Sequence, residues 1–136
     1  MNMYELFGDP ISVYSRAAAI ADGVLVDVSE AGRREGFRYP LAMTIAAYTE
    51  CVEWKDADTD RKRVYQTEDA RLVDVLTAAK VAIRTSVPGA QRLDFRVSRI
   101  PRDGKAREAE TIKLSMTIGP GDDADPVMTI MLNNED

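Results

Sequence analysis

The hydrophobic pattern of this chain changes its period near Pro88 and Gly89, and this change limits the possible folds more than any other feature. Before it, residues 67–86 carry apolar side chains every three or four positions, the period of an amphipathic helix. After it, three segments alternate apolar and polar side chains as half-buried strands do, over residues 92–100, 111–119 and 127–132. The short connections between these segments predict an antiparallel sheet with the long helix packed across it.

The first half of the chain is predicted to form short helices around one strand. Ser15 and Ser29 are suitable N-caps for two short helices, and the β-branched run over residues 24–28 predicts a strand between them. Pro40 suits the first turn of a third helix, whereas the almost entirely polar residues 55–66 are expected to form a solvated loop. The predicted fold is α+β, in a single domain over residues 1–136. It comprises N-terminal helices with a short strand, one long amphipathic helix, and a C-terminal antiparallel sheet of three or more strands.

The composition excludes several kinds of chemistry. The 136 residues include no histidine, which excludes Ser-His-Asp and Cys-His nucleophile sites and histidine-containing zinc sites. Cys51 is the single cysteine, so an internal disulfide cannot form, and it is expected to be a core thiol, with Trp54 at the margin of the core. No apolar run is long enough to cross a bilayer, and the acidic N-terminus lacks the basic start of a secretory signal. We therefore expect a cytoplasmic, non-enzymatic protein that uses no cofactor, no metal and no membrane.

The net charge of −5 is concentrated at the C-terminal end. Residues 121–136 hold five of the 23 acids and none of the 18 Lys and Arg residues, so the remaining 18 acids balance the bases. We expect these five acids to form a surface that binds a partner protein. They are Asp122, Asp123, Asp125, Glu135 and Asp136. A solvated turn and a solvated terminus are the simpler interpretation of the same charge.

The segment GPGDDADP, residues 119–126, holds three of these aspartates and lies between two predicted strands, where the chain must reverse. Gly119 and Gly121 can adopt positive φ, and the aspartates can bond local N–H groups, so a hairpin connection explains the segment. A phosphate-binding loop would need a lysine and a Ser or Thr after the glycines, which this segment lacks. A calcium site there would need further ligands from elsewhere in the chain.

The turn between the first two alternating segments has the opposite charge. Its basic residues are Arg99, Arg102, Lys105 and Arg107, which could contact nucleic-acid phosphates or other anions. Neighbouring acids dilute this charge, and no aromatic side chain is present there to stack on bases. A nucleic-acid-binding regulator is therefore an alternative function. A second basic cluster, formed by Arg33, Arg34 and Arg38, is a candidate for anion or partner contacts.

A carboxylate-based, metal-dependent enzyme is the third alternative. Glu50 and Glu53 lie about one helical turn apart in the third predicted helix and could share a metal ion. The approximate nuclease pattern formed by Glu110 and Lys113 has the wrong spacing to lie on one strand face. We assign no metal ligands from these patterns.

Two blocks of the sequence resemble a family of small bacterial proteins of unknown function. They are residues 8–44, with the phrase DGVLVDVSE, and residues 119–136, with GPGDD, while residues 55–66 lie outside the resemblance. Members of that family tend to be encoded on plasmids, phages and other mobile elements. The resemblance transfers no catalytic residue, substrate or cofactor. It implies a non-enzymatic, protein-binding accessory factor of a mobile element. Its sharpest form is an inhibitor of a host defence system, anti-CRISPR or anti-restriction, whose acidic C-terminal region mimics DNA.

Overall fold

A mixed sheet of five strands forms the centre of the fold. The computed structural model describes residues 14–135, so Asp136 and the N-terminal segment before Tyr14 lie outside the described residues. In chain order the strands are β1 Leu25–Asp27, β2 Leu41–Thr44, β3 Arg92–Arg99, β4 Glu110–Pro120 and β5 Pro126–Leu132. Across the sheet their order is β1-β2-β5-β4-β3. Strand β2 is parallel to β5, and all the other neighbours are antiparallel.

Strands β3, β4 and β5 confirm the predicted C-terminal antiparallel sheet. Phe95 of β3 pairs with Leu114 of β4, and Met116 of β4 pairs with Ile130 of β5. All four side chains are buried in the hydrophobic core, whereas Arg96, next to Phe95, is exposed. The alternation in the sequence is therefore the alternation between the two faces of the sheet.

Five helices are present in the described part of the chain: α1 Arg16–Ala21, α2 Ser29–Arg34, α3 Ile45–Cys51, α4 Asp56–Lys62 and α5 Glu68–Thr85. Helix α5 begins after Thr67, whose Oγ1 accepts a hydrogen bond from the Ala70 N–H at 3.1 Å. It packs against β3 and buries Val75 and Leu76 completely, which confirms the predicted long helix across the sheet. Within residues 14–135, none of the helices is both long and apolar enough to cross a membrane.

Helix α1 lies on the face of the sheet opposite the hydrophobic core. Ser15 caps it as predicted, because its Oγ accepts a hydrogen bond from the Ala18 N–H at 3.0 Å. The Arg16 guanidinium donates to Thr129 Oγ1 and to the Met128 carbonyl oxygen, both at 2.7 Å. Since Thr129 alternates along β5 with core residues, its side chain points away from the core. Arg16 thus fixes α1 across β5.

Residues 41–44 form a strand, so the prediction of a helix from Pro40 was wrong at its start. The backbone of β2 pairs on both sides, with β1 and with β5. Helix α3 begins at Ile45, and Thr44 caps it by accepting a hydrogen bond from the Ala47 N–H at 3.2 Å. Leu41 and Ile45 have helical spacing, but pairing with a strand that is distant in the sequence determines the structure of residues 41–44.

Ser29 also has a different role from the predicted one. Helix α2 begins at Ser29 itself, with Val28 at the N-cap position and no capping side chain. The Ser29 hydroxyl accepts a hydrogen bond from the Leu41 N–H at 2.9 Å and donates one to the Leu41 carbonyl oxygen at 3.2 Å. It therefore ties the beginning of α2 to β2.

Residues 56–62 form helix α4, so the prediction of a solvated loop was wrong for them. Asp58 and Lys62 are four positions apart on one face, and only 2% and 4% of their surfaces are exposed. Arg63 ends the helix in a left-handed conformation with φ of 57°. The buried face of α4 is polar, and a search for apolar periodicity therefore does not detect this helix.

The predicted hairpin connection between β4 and β5 is confirmed, but its backbone differs from the expected one. The Gly121 N–H donates to the Asp125 carbonyl oxygen at 2.8 Å and closes the turn. Ala124, and neither Gly119 nor Gly121, has a positive φ, of 69°. Glycine suits position 121 for a different reason, because a Cβ there would lie 2.7 Å from a Val127 methyl group and would force that side chain to move.

Candidate functional site

The predicted acidic residues are divided between two ends of the sheet. Asp122, Asp123 and Asp125 lie in the turn between β4 and β5, and Glu135 lies beyond the far end of β5. The seven residues of β5 span about 20 Å at the usual rise of a strand. Asp136 lies outside the described residues. The four described acids therefore do not form one continuous surface.

Two of these acids bind the protein's own backbone. The Asp122 carboxylate accepts hydrogen bonds from the N–H groups of Ala17, at 3.0 Å, and Arg16, at 2.7 Å, at the beginning of α1. These two bonds lower the pKa of Asp122 below the ordinary aspartate value. Glu135 Oε2 accepts hydrogen bonds from Thr44 Oγ1 at 2.7 Å and from the Leu132 N–H at 2.8 Å. Both acids stabilise the fold in this structure.

Asp123 and Asp125 are the remaining members of the predicted acidic surface. Both are exposed, and neither carboxylate forms a hydrogen bond or an ion pair with residues 14–135. Positioned at the tip of the turn, they are accessible to a partner. Of the described acids, these two are suited to intermolecular contacts.

The predicted basic turn is largely held by internal contacts. Arg99 NH2 lies 3.3 Å from Glu50 Oε2, and Arg102 forms ion pairs with Glu53 at 3.0 Å and Asp58 at 2.7 Å. The Arg107 guanidinium donates to the Arg63 carbonyl oxygen at 3.4 Å. Lys105 is exposed at the tip of the connection. Arg99 is the last residue of β3 and the other three residues lie in the connection that follows it, where the arginines mainly attach this connection to the body of the protein.

Helix α4 provides most of this attachment, which the sequence analysis missed. The Lys62 ammonium group donates to the carbonyl oxygens of Pro101, Asp103 and Ala106, all in the connection between β3 and β4. Arg61 donates to the Arg102 carbonyl oxygen. The i, i+4 spacing of Asp58 and Lys62 was the available signal, but polar residues at that spacing usually face solvent.

Asp58 is the acceptor at the centre of these contacts. Its Oδ2 accepts hydrogen bonds from the Lys55 N–H at 2.8 Å and from Arg102 at 2.7 Å, and its Oδ1 lies 2.9 Å from Arg61. Burial alone would raise the pKa of Asp58, but the Lys55 N–H and the two guanidinium groups outweigh it. The pKa of Asp58 therefore lies below the ordinary value. The carboxylate remains charged at neutral pH and holds α4 to the connection.

Arg71 of α5 forms a second buried polar contact, with 3% of its surface exposed. Its Nε donates to the Val52 carbonyl oxygen at 3.1 Å, and its NH1 donates to the Ile100 carbonyl oxygen at 2.9 Å and to Gln66 at 3.1 Å. The guanidinium carbon lies 4.8 Å from the centre of the Trp54 ring. Burial is the main cause that lowers the pKa of Arg71. The residue joins α5 to the end of α3 and to the end of β3.

The cysteine, the tryptophan and the two glutamates considered as possible metal ligands are each engaged or buried. Cys51 is fully buried, as predicted, and burial raises the pKa of its thiol to about 11. Trp54 is buried, with 5% exposed, but lies outside the main hydrophobic cluster, in agreement with its predicted place at the margin of the core. Glu50 and Glu53 form ion pairs with different arginines. Among the described residues, no group of three or more Cys, Asp or Glu side chains is arranged to hold a metal ion.

A groove of about 360 Å³ with a mostly apolar lining lies on the described surface, and we call it the basic groove after the charge at its rim. Phe37, Ile83, Ile118 and Met128 form its floor. Ile118 and Met128 are paired across β4 and β5, and Ile83 comes from the C-terminal half of α5. Because its floor is built from a helix and two paired strands, the groove has a rigid base.

One wall of the basic groove depends on the end of α2. The chain leaves α2 through Gly36, which has a φ of 95°. The Phe37 N–H donates to the Gly32 carbonyl oxygen at 2.8 Å, and the Gly36 N–H donates to the Arg33 carbonyl oxygen at 3.1 Å. This pair of bonds is the Schellman motif. It turns Phe37 towards the core, with 7% exposed, and leaves Arg38 and Tyr39 at the rim.

The rim of the basic groove carries a local positive charge. Arg38, Lys80 and Arg84 line it with a single acid, Glu35, which gives a local net charge of +2 in a chain whose net charge is −5. Lys80 Nζ lies 3.5 Å from Glu35 Oε1, across the groove. Arg38 and Arg84 have no carboxylate partner among residues 14–135. Arg38 is predicted from the sequence as a possible anion contact, but the local basic cluster does not show that α5 lies next to it.

The chain matches a family defined by sequence over its whole length. The match is to the Family of unknown function (DUF6573) and covers residues 1–136. No curated protein and no solved structure matches the chain. The family match includes residues 55–66, which the sequence resemblance had left out, and with them helix α4. The chain therefore belongs to the family of unknown function DUF6573.

Proposed function

We propose that this protein is a non-enzymatic factor that acts by binding another protein through the basic groove. The observation that carries the proposal is the combination, in one open site, of an apolar floor with Arg38 and Arg84 at its rim. Binding sites are typically concave and mostly apolar, with a few polar groups that set orientation. Arginine is also enriched among the residues that contribute most to protein interfaces.

The use of the reactive side chains supports a binding role. The Cys51 thiol is buried and protonated at neutral pH, so it is a poor nucleophile. Glu50 and Glu53 neutralise Arg99 and Arg102 and thereby hold the connection between β3 and β4. These groups stabilise the molecule, whereas the groove contributes an accessible surface of defined chemistry.

The acidic turn is a second contact in this proposal. Asp123 and Asp125 are exposed at the tip of the connection between β4 and β5. They would add electrostatic attraction to a basic region of the partner and raise the association rate more than the affinity. Asp122 and Glu135 would act indirectly, by holding α1 and the end of β5 in place.

The sequence resemblance extends the proposal to the partner. We propose a cytoplasmic accessory factor of a mobile element whose target is a host protein, and an inhibitor of a CRISPR or restriction complex is its most specific form. Among the four described acids expected for a DNA-mimicking surface, Asp123 and Asp125 have carboxylates that bind no other described residue, and two such acids favour recognition through the groove.

Affinity capture from an extract of the bacterial host tests this function. The tagged protein is compared with Arg38→Glu/Arg84→Glu, with Asp123→Asn/Asp125→Asn and with Arg96→Glu, a charge reversal at an exposed arginine outside the groove. We expect one protein or complex to be retained by the wild type and by Arg96→Glu, and to be lost with the groove variant. Loss of acidic-turn charge should reduce capture mainly at low salt.

Three outcomes would contradict the proposal. Retention of nucleic acid without protein would support the alternative function, nucleic-acid binding through Arg99, Arg102, Lys105 and Arg107. Capture that the groove variant leaves unchanged would show that a different surface is used. An extract from which the wild type retains nothing would exclude stable protein binding under those conditions.

A further inference from the structure

We infer that the basic groove receives a linear segment of the partner protein in which one apolar side chain lies between two carboxylates. The inference rests on the proposed function, because it specifies what the partner presents to that site. It assigns the apolar side chain to the floor and the two carboxylates to the arginines at the rim.

The floor determines the apolar part of this segment. Phe37, Ile83, Ile118 and Met128 offer no polar side-chain atom, so a polar group placed among them would lose its hydrogen bonds to water. The volume of about 360 Å³ is near the lower end of the range for ligand sites. A single large aliphatic or aromatic side chain therefore suits the floor better than an extended apolar surface.

The positions of the cations at the rim of the groove determine where the partner segment carries its acids. Arg38 stands on the wall that follows α2, and Lys80 and Arg84 stand on the wall formed by α5. Acids placed on both sides of the apolar residue use the cations of both walls, whereas a ligand with a single carboxylate uses those of one wall. Arginine also binds carboxylates through two parallel hydrogen bonds, which adds orientation to attraction.

The charge of Glu35 provides a second, independent test of this binding mode. Its carboxylate already pairs with Lys80 across the groove, at 3.5 Å, with about a quarter of each side chain exposed. A carboxylate of the partner would compete with Glu35 for Lys80 and be repelled by it. Removing the charge of Glu35 should therefore strengthen binding, a result that a damaged fold cannot produce.

Selection from a displayed library of short random peptides tests this inference directly. We expect the wild-type protein to enrich peptides that carry an aliphatic or aromatic residue with Asp or Glu on both sides. Their affinity should fall roughly tenfold or more with Arg38→Glu/Arg84→Glu and rise about two- to fivefold with Glu35→Gln. It should stay unchanged with Arg96→Glu.

Other outcomes would overturn the inference. The first is that no such peptides are enriched. The second is that such peptides are enriched, but neither Arg38→Glu/Arg84→Glu nor Glu35→Gln changes their affinity. The third is that the wild-type protein sediments as a dimer and that Arg38→Glu/Arg84→Glu dissociates it. The last result would make a second copy of the chain the occupant. If host extract still yields a partner when no such peptide binds, the inference fails and the proposed protein-binding function stands.

Discussion

Arg71 is the side chain at which three parts of the chain meet. Its guanidinium group donates to carbonyl oxygens at the end of α3 and at the end of β3, and it lies beside the Trp54 ring. Its second terminal nitrogen, Nη2, is buried without a hydrogen-bond partner among the described residues. Such an arrangement depends on the planar guanidinium, because a lysine carries its three donors on a single nitrogen atom and has no flat surface to place over the Trp54 ring.

Replacement of Arg71 by lysine should therefore destabilise the protein while keeping the charge. We expect the free energy of unfolding to fall by about 2–4 kcal/mol, because a single ammonium nitrogen cannot replace both the buried bond to the Val52 carbonyl oxygen and the partly buried bond to the Ile100 carbonyl oxygen. Urea unfolding at neutral pH measures the change. Arg96→Lys, at an exposed position, is the matched control and should stay within about 0.5 kcal/mol of the wild type. A lysine variant at position 71 as stable as that control would show that the contacts of Arg71 contribute little.

Asp58 contributes to the stability of the folded protein, and this contribution depends on pH. Its pKa in the folded protein lies below the ordinary value of 3.8. The ionised carboxylate therefore contributes stability that is fully present above about pH 4, the pKa range of an unfolded aspartate, and is lost as the pH falls through the lower pKa of the folded state.

We predict that Asp58→Asn lowers the free energy of unfolding by about 2 kcal/mol at pH 7, because Arg61 and Arg102 lose a charged acceptor. The difference from the wild type should narrow between pH 4 and pH 2, where the wild-type carboxylate itself becomes protonated. Asp60→Asn, on the exposed side of α4, should change little. A difference that stays constant over the acid range would contradict the stabilising role of the ionised form.

Helix α4 as a whole is held in place by hydrogen bonds of its buried charged side chains. Lys62 donates to three carbonyl oxygens of the connection between β3 and β4, and few apolar contacts are available to replace those bonds. A sequence pattern based on apolar periodicity predicts a loop here, because the residues that face the interior, Asp58 and Lys62, are charged. By contrast, α5 was predicted correctly because Val75, Leu76 and Ala79 carry its packing.

The variant Lys62→Met should release this connection without unfolding the sheet. Methionine fills a similar volume but donates no hydrogen bond, so local opening should become easier by at least about 1.4 kcal/mol. Cleavage by trypsin after Arg102, Lys105 or Arg107 should then be at least about tenfold faster than in the wild type. Lys55→Met, at an exposed lysine, serves as the control. Equal cleavage rates in both variants would mean that Lys62 does not hold the connection.

At the scale of the whole molecule, the sequence could predict the local part of the sheet. Strands β3, β4 and β5 follow one another with short connections, and the alternation around Phe95, Leu114 and Ile130 predicts which side chains face the core. The position of β2 could not be predicted, because Leu41 pairs with Met128 from the other end of the chain. Nothing in the local pattern of residues 41–44 distinguishes this strand from the start of α3.

The candidate site was likewise predictable from the sequence only where its residues are neighbours in the chain. Arg38 was identified from the local cluster of basic residues, but the groove also needs Arg84 from α5 and the Ile118–Met128 pair from the sheet. The five acids were identified from composition alone, and composition does not show that Asp122 caps α1 or that Glu135 binds Thr44. Contacts between distant segments decide which charged side chains remain accessible.

The position of the bound partner on the protein is the most direct test of the proposed binding site. Spectra of the protein labelled at its Ile, Met and Val methyl groups are recorded during titration with a selected peptide or the captured partner. We expect the signals of Ile83, Ile118 and Met128 to shift, while that of Met131, outside the groove, stays in place. Shifts confined to Val127, beside the acidic turn, or to Met131 would show that binding occurs elsewhere and that the basic groove is not the functional site.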